Sequence, residues 1–359
     1  VVCDWMRQLT GLSDQWQGTI HDTASTACVT AMILARERAS QFSKNGAGLQ
    51  SVAAPLIVYS TAQAHSSIAK AEQLAGFGND KLRYVDEDPY SRAMLPEALA
   101  AAIEQDLAAG NIPAGIVCSV GATGTTAMDP VDEIAAIANR HGVWLHVDAA
   151  MAGSAMLLPE CRHLWQGVEQ ADSLAWNPHK WMGTILDTAL FYVRDTTHLE
   201  AVMSTNPSFL QSGADGQVTQ YRDWGIPLGR RFRALKLWFH LRLDGIEAIR
   251  TRLRRDLENA QWFAQQVDAA DGWEVLAPVT LQTVCIRHRP MDDSGNALRG
   301  DALDDHTLAW VERINASGAA FMSPSQLDGR WMVRVSIGVE ETTRDHVKRL
   351  WRLIQQAAG

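Results

Sequence analysis

The stretch Val143–Gly183 constrains this chain more than any other part of it. It contains one acid and one lysine, Asp148 and Lys180, and each follows an apolar run that is typical of a buried strand. The runs are 143–147 and 173–176, and the segment between them is long enough for a crossover. This pattern predicts parallel strands of an α/β sheet, in which ligands bind outside the carboxyl ends of the strands. We therefore expect an amine and a carboxylate to meet in one crevice.

Length and charge narrow the class of protein. The 359 residues are enough for one large domain and a smaller one, and a formal net charge of -9 argues against a general nucleic-acid binder. The five cysteines are scattered without a CxxC pair, so we expect neither a disulfide framework nor a metal site, and a reducing cytoplasm fits. The sequence contains no apolar run long enough to span a bilayer and no charged-then-apolar leader, so we expect no membrane partner. The chain starts without Met, and we expect that something ahead of Val1 has been removed or left out.

Strands and helices alternate up to Lys180, which predicts a mostly parallel sheet with helices on both faces. Thr23, Ser25 and Thr26 precede a helix, where hydroxyl groups cap free N–H groups and the same N–H groups can bind a phosphate. His65 lies near the start of a later helix, and both a packing role and a catalytic role are open.

Two glycine-bearing segments offer further candidates. GATGTT lacks the spacing of a P-loop or of a dinucleotide site, but it places the Thr123 hydroxyl after a buried strand. The polar segment between Ser204 and Trp224 lacks periodicity and predicts a mobile loop of the kind that covers active sites.

The C-terminal part differs from the rest in its predicted secondary structure. A long helical segment carries an apolar stripe of Leu235, Trp238, Phe239 and Leu243. Beyond it, short strands and helices indicate a small α+β domain, with a hairpin turn at 328–329. We expect a large domain over residues 1–245 and a small C-terminal domain over residues 246–359.

Asp148 and Lys180 together point to pyridoxal 5′-phosphate, because this cofactor needs a lysine to attach to and an acid to keep its ring nitrogen protonated. With the surrounding motifs the chain closely resembles the group II pyridoxal-phosphate-dependent amino acid decarboxylases, the aromatic-L-amino-acid decarboxylase family. The resemblance covers nearly the whole chain and is carried by DTASTA, QAHSS, HVDAAMAGSA, NPHKW, DWGIPLGRRFRALKLWF and VRVSIGVEETT. It implies the aspartate aminotransferase-like fold type I.

The resemblance also implies roles for single residues. Lys180 would carry the cofactor, Asp148 would pair with the ring nitrogen, and Ala150 and His65 would cover the two ring faces. The phosphate end would be held by four residues: Ala24, Ser25, Asn177 and His179.

The resemblance also implies roles for two residues outside this set. Thr123 would lie beside the ring. Arg334 would face a substrate carboxylate, although a structural ion pair is an equal alternative for an arginine on a short strand.

The sequence departs from the family at the predicted mobile loop. The family usually has a tyrosine there, thought to return a proton to Cα after CO2 leaves, and this chain has Phe209. Phe209 resembles the aromatic aldehyde synthases of the same family, which release an aldehyde, ammonia and peroxide. Alternatively His65 or a water finishes an ordinary decarboxylation. The family's N-terminal segment of intertwined helices, which wraps the partner subunit, is expected to be missing ahead of Val1.

These observations predict a homodimeric cytoplasmic enzyme that decarboxylates an aromatic L-amino acid such as dopa, tryptophan or tyrosine to the amine. Three alternatives stay open at this point: the aldehyde-forming reaction, a glutamate or histidine decarboxylase, and an inactive relative that binds the cofactor and serves a structural role.

Overall fold

The computed structural model describes residues 1–205, 217–292 and 294–359. Phe209 therefore lies outside the described residues. The chain folds into two compact units, of which the first contains Val1–Asp88, Ala93–Val120 and Met128–Gly245. The second unit contains Pro89–Arg92, Gly121–Ala127 and Ile246–Gly359.

The first unit is a seven-stranded sheet with helices. Its strands are β1 Gln17–His21, β2 Leu56–Ser60, β3 Leu82–Tyr84, β4 Ile112–Ser119, β5 Trp144–Asp148, β6 Ser173–Trp176 and β7 Ala189–Val193. Its α-helices are α1 Val2–Thr10, α2 Ala24–Ala39, α3 Ser67–Leu74, α4 Pro96–Ala108, α5 Val131–His141, α6 Thr196–Met203 and α7 Ala234–Leu243.

The order of strands in this sheet is β1-β7-β6-β5-β4-β2-β3. All neighbouring pairs from β6 to β3 are parallel, whereas β7 runs antiparallel to both β6 and β1. Every residue of β5, β6 and β7 is buried, as expected of strands covered on both faces. The predicted α/β class with a mostly parallel sheet is confirmed.

Helix α2 packs on this sheet through small residues. Ala27, Ala31 and Ala35 are fully buried, and a Cβ built on Gly115 of β4 would lie 3.3 Å from the Cβ of Ala35. This close approach packs the C-terminal half of α2 directly on β4.

The second unit has a four-stranded antiparallel sheet in the order β10-β11-β9-β8. The strands are β8 Trp273–Val275, β9 Thr283–His288, β10 Ser323–Leu327 and β11 Arg330–Ser336, and the helices are α8 Ile246–Asp268, α9 Gly300–Ser317 and α10 Arg344–Ala358. The core contains Phe263, Trp310 and Trp351, with Phe263 and Trp351 edge to face at 5.6 Å. This unit has the α+β character predicted for the C-terminal part.

The apolar stripe predicted for the helix before the second unit is not part of a core. Leu235, Trp238, Phe239 and Leu243 on α7 are 41%, 37%, 47% and 77% exposed, and Leu237 is the buried residue of this helix. Periodicity finds an apolar face, but it cannot say whether the same chain covers that face.

Candidate functional site

The predicted site residues of the first unit follow strands that end at one edge of the sheet. Because β7 is antiparallel, its first residue Ala189 pairs with His21, the last residue of β1. Leu190 likewise pairs with Trp176, the last residue of β6. The segments after β1, β2, β5 and β6 therefore share this edge with the segment before β7. The eight predicted residues on these segments are Ala24, Ser25, His65, Asp148, Ala150, Asn177, His179 and Lys180.

Asp148 ends β5 and its carboxylate is held in place. It is 7% exposed, and its Oδ1 accepts a hydrogen bond from the Ala150 N–H at 3.0 Å. The Ala150 carbonyl in turn accepts from the Asn177 N–H at 2.9 Å. Oδ2 has no hydrogen-bond partner within 1–205, 217–292 and 294–359, so it is the oxygen that can receive a proton-bearing ring nitrogen.

Lys180 lies on a turn directly after β6. Its N–H donates to the Asn177 carbonyl at 3.0 Å, and its own carbonyl accepts from the Gly183 N–H at 3.0 Å. The side chain is exposed, in contrast to the buried Asp148.

The acid and the amine follow neighbouring strands, since Asp148 pairs with Ala175 of β6 and Lys180 lies on the turn after β6. Partial burial, and then the positive charge of Lys180, lower the pKa of His65, while Asp148 opposes them. Burial, and then the Asp148 carboxylate, raise the pKa of the Cys28 thiol well above its usual range, while Lys180 opposes them. The charges of Asp148 and Lys180 thus both act on His65 and Cys28.

The segments around α2 and Asn177 supply donors for an anionic group. Thr23 caps α2, with its Oγ1 accepting from the Thr26 N–H at 3.4 Å, which leaves the N–H groups of Ala24 and Ser25 without an acceptor in the described chain. The Nδ1 of His179 accepts the Thr188 N–H at 2.8 Å, so the neutral ring carries its proton on Nε2.

Asn177 adds a buried polar atom that no described residue satisfies, its side-chain Oδ1. The free N–H groups of Ala24 and Ser25 and the Nε2–H of His179 are donors of the kind that a phosphorylated cofactor accepts from, whereas the Asn177 Oδ1 needs a donor. Together with the carboxylate and the amine, these residues fit pyridoxal 5′-phosphate.

Gly153 explains why the motif after Asp148 contains a glycine. A Cβ built on Gly153 would lie 2.4 Å from Cγ of Trp176, the last residue of β6. Trp176 is 1% exposed and its Nε1–H donates to the Ser154 Oγ at 3.2 Å. The segment after Asp148 thus packs directly on the strand that leads to Lys180.

Sequence reasoning missed the ion pairs that hold the segment after Lys180. The Asp187 carboxylate pairs with Arg233 at 2.9 Å and with Lys236 at 3.1 Å, both on or next to α7. The Arg233 guanidinium holds the pKa of Asp187 well below its usual range. Nothing local in the sequence identifies these partners, because about 46 residues separate them.

A buried polar chain behind Asp148 was also missed. His146 Nδ1 lies 2.9 Å from the Ser173 Oγ, and its Nε2 lies 3.6 Å from the Cys28 Sγ. Burial lowers the pKa of His146 to about 4, so its imidazole is neutral. The spacing of His146 and Asp148, two residues apart on one strand, places both on the same face and could have identified the pair.

Thr123 and Arg334 belong to the second unit. The carbonyl of Gly124, next to Thr123, accepts from the Cys285 Sγ at 3.3 Å, and Cys285 pairs with Arg334 across β9 and β11. Burial lowers the pKa of Arg334, and its Nε has no partner in the described chain. The structural ion pair considered for Arg334 is not found among the described residues, whereas an anionic ligand would satisfy this group.

The described residues contain no group of three or more His, Cys, Asp or Glu side chains arranged to hold a metal ion. Among the same residues no helix is both long and apolar enough to cross a membrane.

Known proteins share both the sequence and the fold of this chain. A family profile described as the pyridoxal-dependent decarboxylase conserved domain matches residues 1–289. All of the chain aligns with 73% of phenylacetaldehyde synthase from Arabidopsis thaliana at 38% identity, and with 72% of tryptophan decarboxylase 2 from Oryza sativa subsp. japonica at 37% identity. A crystal structure of Oryza sativa TDC with PLP and tryptamine matches 99% of this chain and 74% of its own, with a TM-score of 0.93 and 34% identity.

Proposed function

The chain belongs to the pyridoxal-dependent decarboxylase family, and we propose that it removes CO2 from an aromatic L-amino acid and releases the amine. It is a carboxy-lyase of fold type I that uses pyridoxal 5′-phosphate. The observation that carries the proposal is that the buried Asp148 carboxylate ends β5 and Lys180 lies on the turn after the neighbouring strand β6, at the same edge of the sheet.

We assign each cofactor contact to a residue of this chain. Lys180 carries the cofactor, Asp148 pairs with the ring nitrogen, and Ala150 and His65 cover the two faces of the ring. Thr123 lies beside the ring. The phosphate is held by Ala24, Ser25, Asn177 and His179. Residues 1–245 form the cofactor-binding domain and residues 246–359 the small C-terminal domain.

When bound, the cofactor supplies an electron sink for the electrons of the breaking bond between Cα and the carboxylate. Asp148 keeps the ring nitrogen positive, because a nearby carboxylate favours the charged form of a pyridinium. By keeping that nitrogen protonated, Asp148 would favour the transition state over the ground state, since negative charge would reach the ring only as the bond breaks. Arg334 binds a substrate carboxylate, which its unsatisfied Nε supports.

The aromatic substrate class is supported by relatives that are named a tryptophan decarboxylase and a phenylacetaldehyde synthase. The test is incubation of the enzyme and cofactor with tryptophan, tyrosine, dopa, phenylalanine, glutamate and histidine, with CO2, amine and peroxide measured together. We expect CO2 and amine from an aromatic substrate. Turnover of glutamate or histidine alone would refute the substrate class, and cofactor binding without any turnover would identify an inactive relative.

A second candidate reaction is favoured by Phe209, which has no proton to give. In that reaction the substrate carbon reacts with O2 after CO2 leaves, and an aldehyde, ammonia and H2O2 are released. Peroxide in equal amount to CO2 would support it, and amine without peroxide would reject it. Phe209→Tyr restores the hydroxyl of the family and should then shift product from peroxide to amine, with Phe209→Leu as a control that adds no hydroxyl.

We propose a homodimer whose interface includes the apolar face of α7. This face contains Leu235, Trp238, Phe239 and Leu243, all at least 37% exposed, and exposed apolar patches of this kind mark interaction sites. Trp238→Glu should lower the dimer fraction in sedimentation equilibrium, whereas Leu107→Glu on α4, an exposed leucine outside this face, should not. An unchanged dimer in Trp238→Glu would exclude this face.

A cytoplasmic location is also proposed, since all five cysteines are free thiols. Fractionation of cells that express the protein tests it, and recovery in a secreted or organelle fraction would contradict it.

A further inference from the structure

Ser67, the first residue of α3, makes two contacts with one nitrogen of His65. The Ser67 N–H donates to the His65 Nδ1 at 3.1 Å, and the Ser67 Oγ lies 2.7 Å from the same atom. Ser67 is 7% exposed, whereas His65 is exposed, so the serine holds the imidazole from the buried side. The neighbouring Ser66 is exposed and its side chain makes no capping hydrogen bond, so the arrangement is specific to Ser67.

The direction of the first contact is fixed by chemistry. A backbone N–H can only donate, so His65 Nδ1 must accept and cannot itself carry a proton. The Ser67 hydroxyl can donate to the same atom while Nδ1 is unprotonated, and it would then reinforce this state. The Ile68 N–H also donates to the His65 carbonyl at 2.9 Å, which holds the backbone of this turn.

We propose that Ser67 is a positioning residue that holds His65 in the neutral form with its proton on Nε2. This inference rests on the proposed function only for its catalytic meaning. A neutral imidazole does not repel the positive charges of Lys180 and of a protonated cofactor ring. Its Nε2–H can donate a hydrogen bond, but this neutral ring is not a proton source, because loss of the Nε2 proton would leave an imidazolate.

The surroundings of His65 agree with a neutral ring. The charged groups that act on it are Lys180, which disfavours the imidazolium, and Asp148, which favours it, and Lys180 has the larger effect. On the α2 side, Ser67 also contacts the Cys28 thiol, and that thiol is uncharged because burial raises its pKa.

A neutral His65 restricts how the substrate Cα can be protonated after CO2 has left. Protonation of that carbon by His65 would require an imidazolium with a proton on Nδ1. That proton would point at the hydrogen of the Ser67 N–H, and the two would repel each other. A water or another group must therefore supply the proton when amine is formed. The ratio of amine to peroxide should accordingly not follow the titration of His65.

Nitrogen NMR of the holoenzyme labelled with 15N-histidine tests the inference directly, with the His65 signals identified by their loss in His65→Gln. We expect Nδ1 unprotonated and Nε2 protonated at neutral pH. Ser67→Ala should raise the share of the Nδ1-protonated form about fivefold, as expected for the loss of one neutral hydrogen bond, and should raise the pKa of His65. Ser67→Thr should restore both values, and Ser66→Ala should leave them unchanged.

A protonated Nδ1 in the wild-type enzyme would overturn the inference, and so would identical spectra for wild type and Ser67→Ala. An amine-to-peroxide ratio that follows the His65 titration would refute its catalytic consequence. If no aromatic amino acid is turned over, the proposed function fails, while the nitrogen spectra still decide the state of His65.

Discussion

Glu72 is a buried acid on the same helix as Ser67. The residue is 1% exposed, and neither of its carboxylate oxygens has a hydrogen bond in the described part of the chain. Helix α3 packs on α2, and burial there raises the pKa of Glu72 from 4.5 to about 7. Ionisation of Glu72 should therefore weaken the packing of the helix that begins with the site residue Ser67.

The sign and the size of this effect follow from linkage. A carboxyl group whose pKa is raised in the folded state stabilises the fold below pH 4.5, and this contribution is lost as the pH rises through about 7. Each pKa unit corresponds to about 1.4 kcal/mol, so the difference amounts to about 3 kcal/mol of unfolding free energy. This is a large part of the ~5–15 kcal/mol by which a typical domain is stable.

Glu72→Gln isolates this contribution, because glutamine has the same shape and stays neutral. Urea unfolding of both proteins, in the same cofactor state, should give similar stabilities near pH 5, and near pH 8.5 the variant should be more stable by up to ~3 kcal/mol. Only the difference between the two proteins counts, since other groups such as Asp129 also titrate in this range.

Glu133→Gln on α5 is the matched control, since it makes the same chemical change at an exposed position. It should follow the wild-type pH profile. If Glu72→Gln loses stability with rising pH in parallel with the wild type, the carboxyl group is not held protonated and the reasoning is wrong.

Three further variants test the site. Lys180→Ala should abolish turnover and the visible absorbance of the lysine-bound cofactor, and survival of that absorbance would exclude Lys180 as the attachment residue. Asp148→Asn keeps the shape but removes the charge, so kcat for CO2 release should fall at least about a hundredfold while the fold is kept by circular dichroism. Gly153→Ala forces a Cβ to 2.4 Å from Trp176, so thermal unfolding should show a loss of about 1–3 kcal/mol.

Features with a local signal could be predicted from the sequence. Thr23 caps α2 as its hydroxyl and position indicate. Asp328 and Gly329 both have positive φ and join β10 to β11, as expected of a two-residue hairpin turn. Asp148 ends β5 because the apolar run before it forms a buried parallel strand. In each of these cases neighbouring residues determine the structure.

Features that depend on distant parts of the chain could not be predicted. His146 meets Cys28 across 118 residues, and Asp187 meets Arg233 across 46. No pattern in the sequence pairs such residues, because the sheet order that brings them together is a property of the whole fold. The exposure of the α7 stripe belongs to the same class, since periodicity reports an apolar face and not what covers it.

Different residues of the site control the release of CO2 and the nature of the product. Hydrogen bonds of 2.9–3.0 Å hold the Asp148 carboxylate and the backbone of Asn177 and Lys180 at the ends of buried strands, whereas the Lys180 side chain is exposed. His65 is held as a neutral donor by Ser67, so it cannot choose between amine and aldehyde by giving up a proton. The ratio of amine to aldehyde is therefore set by groups other than Asp148, Lys180 and His65. A change such as Phe209→Tyr can alter this ratio without disturbing the residues that release CO2.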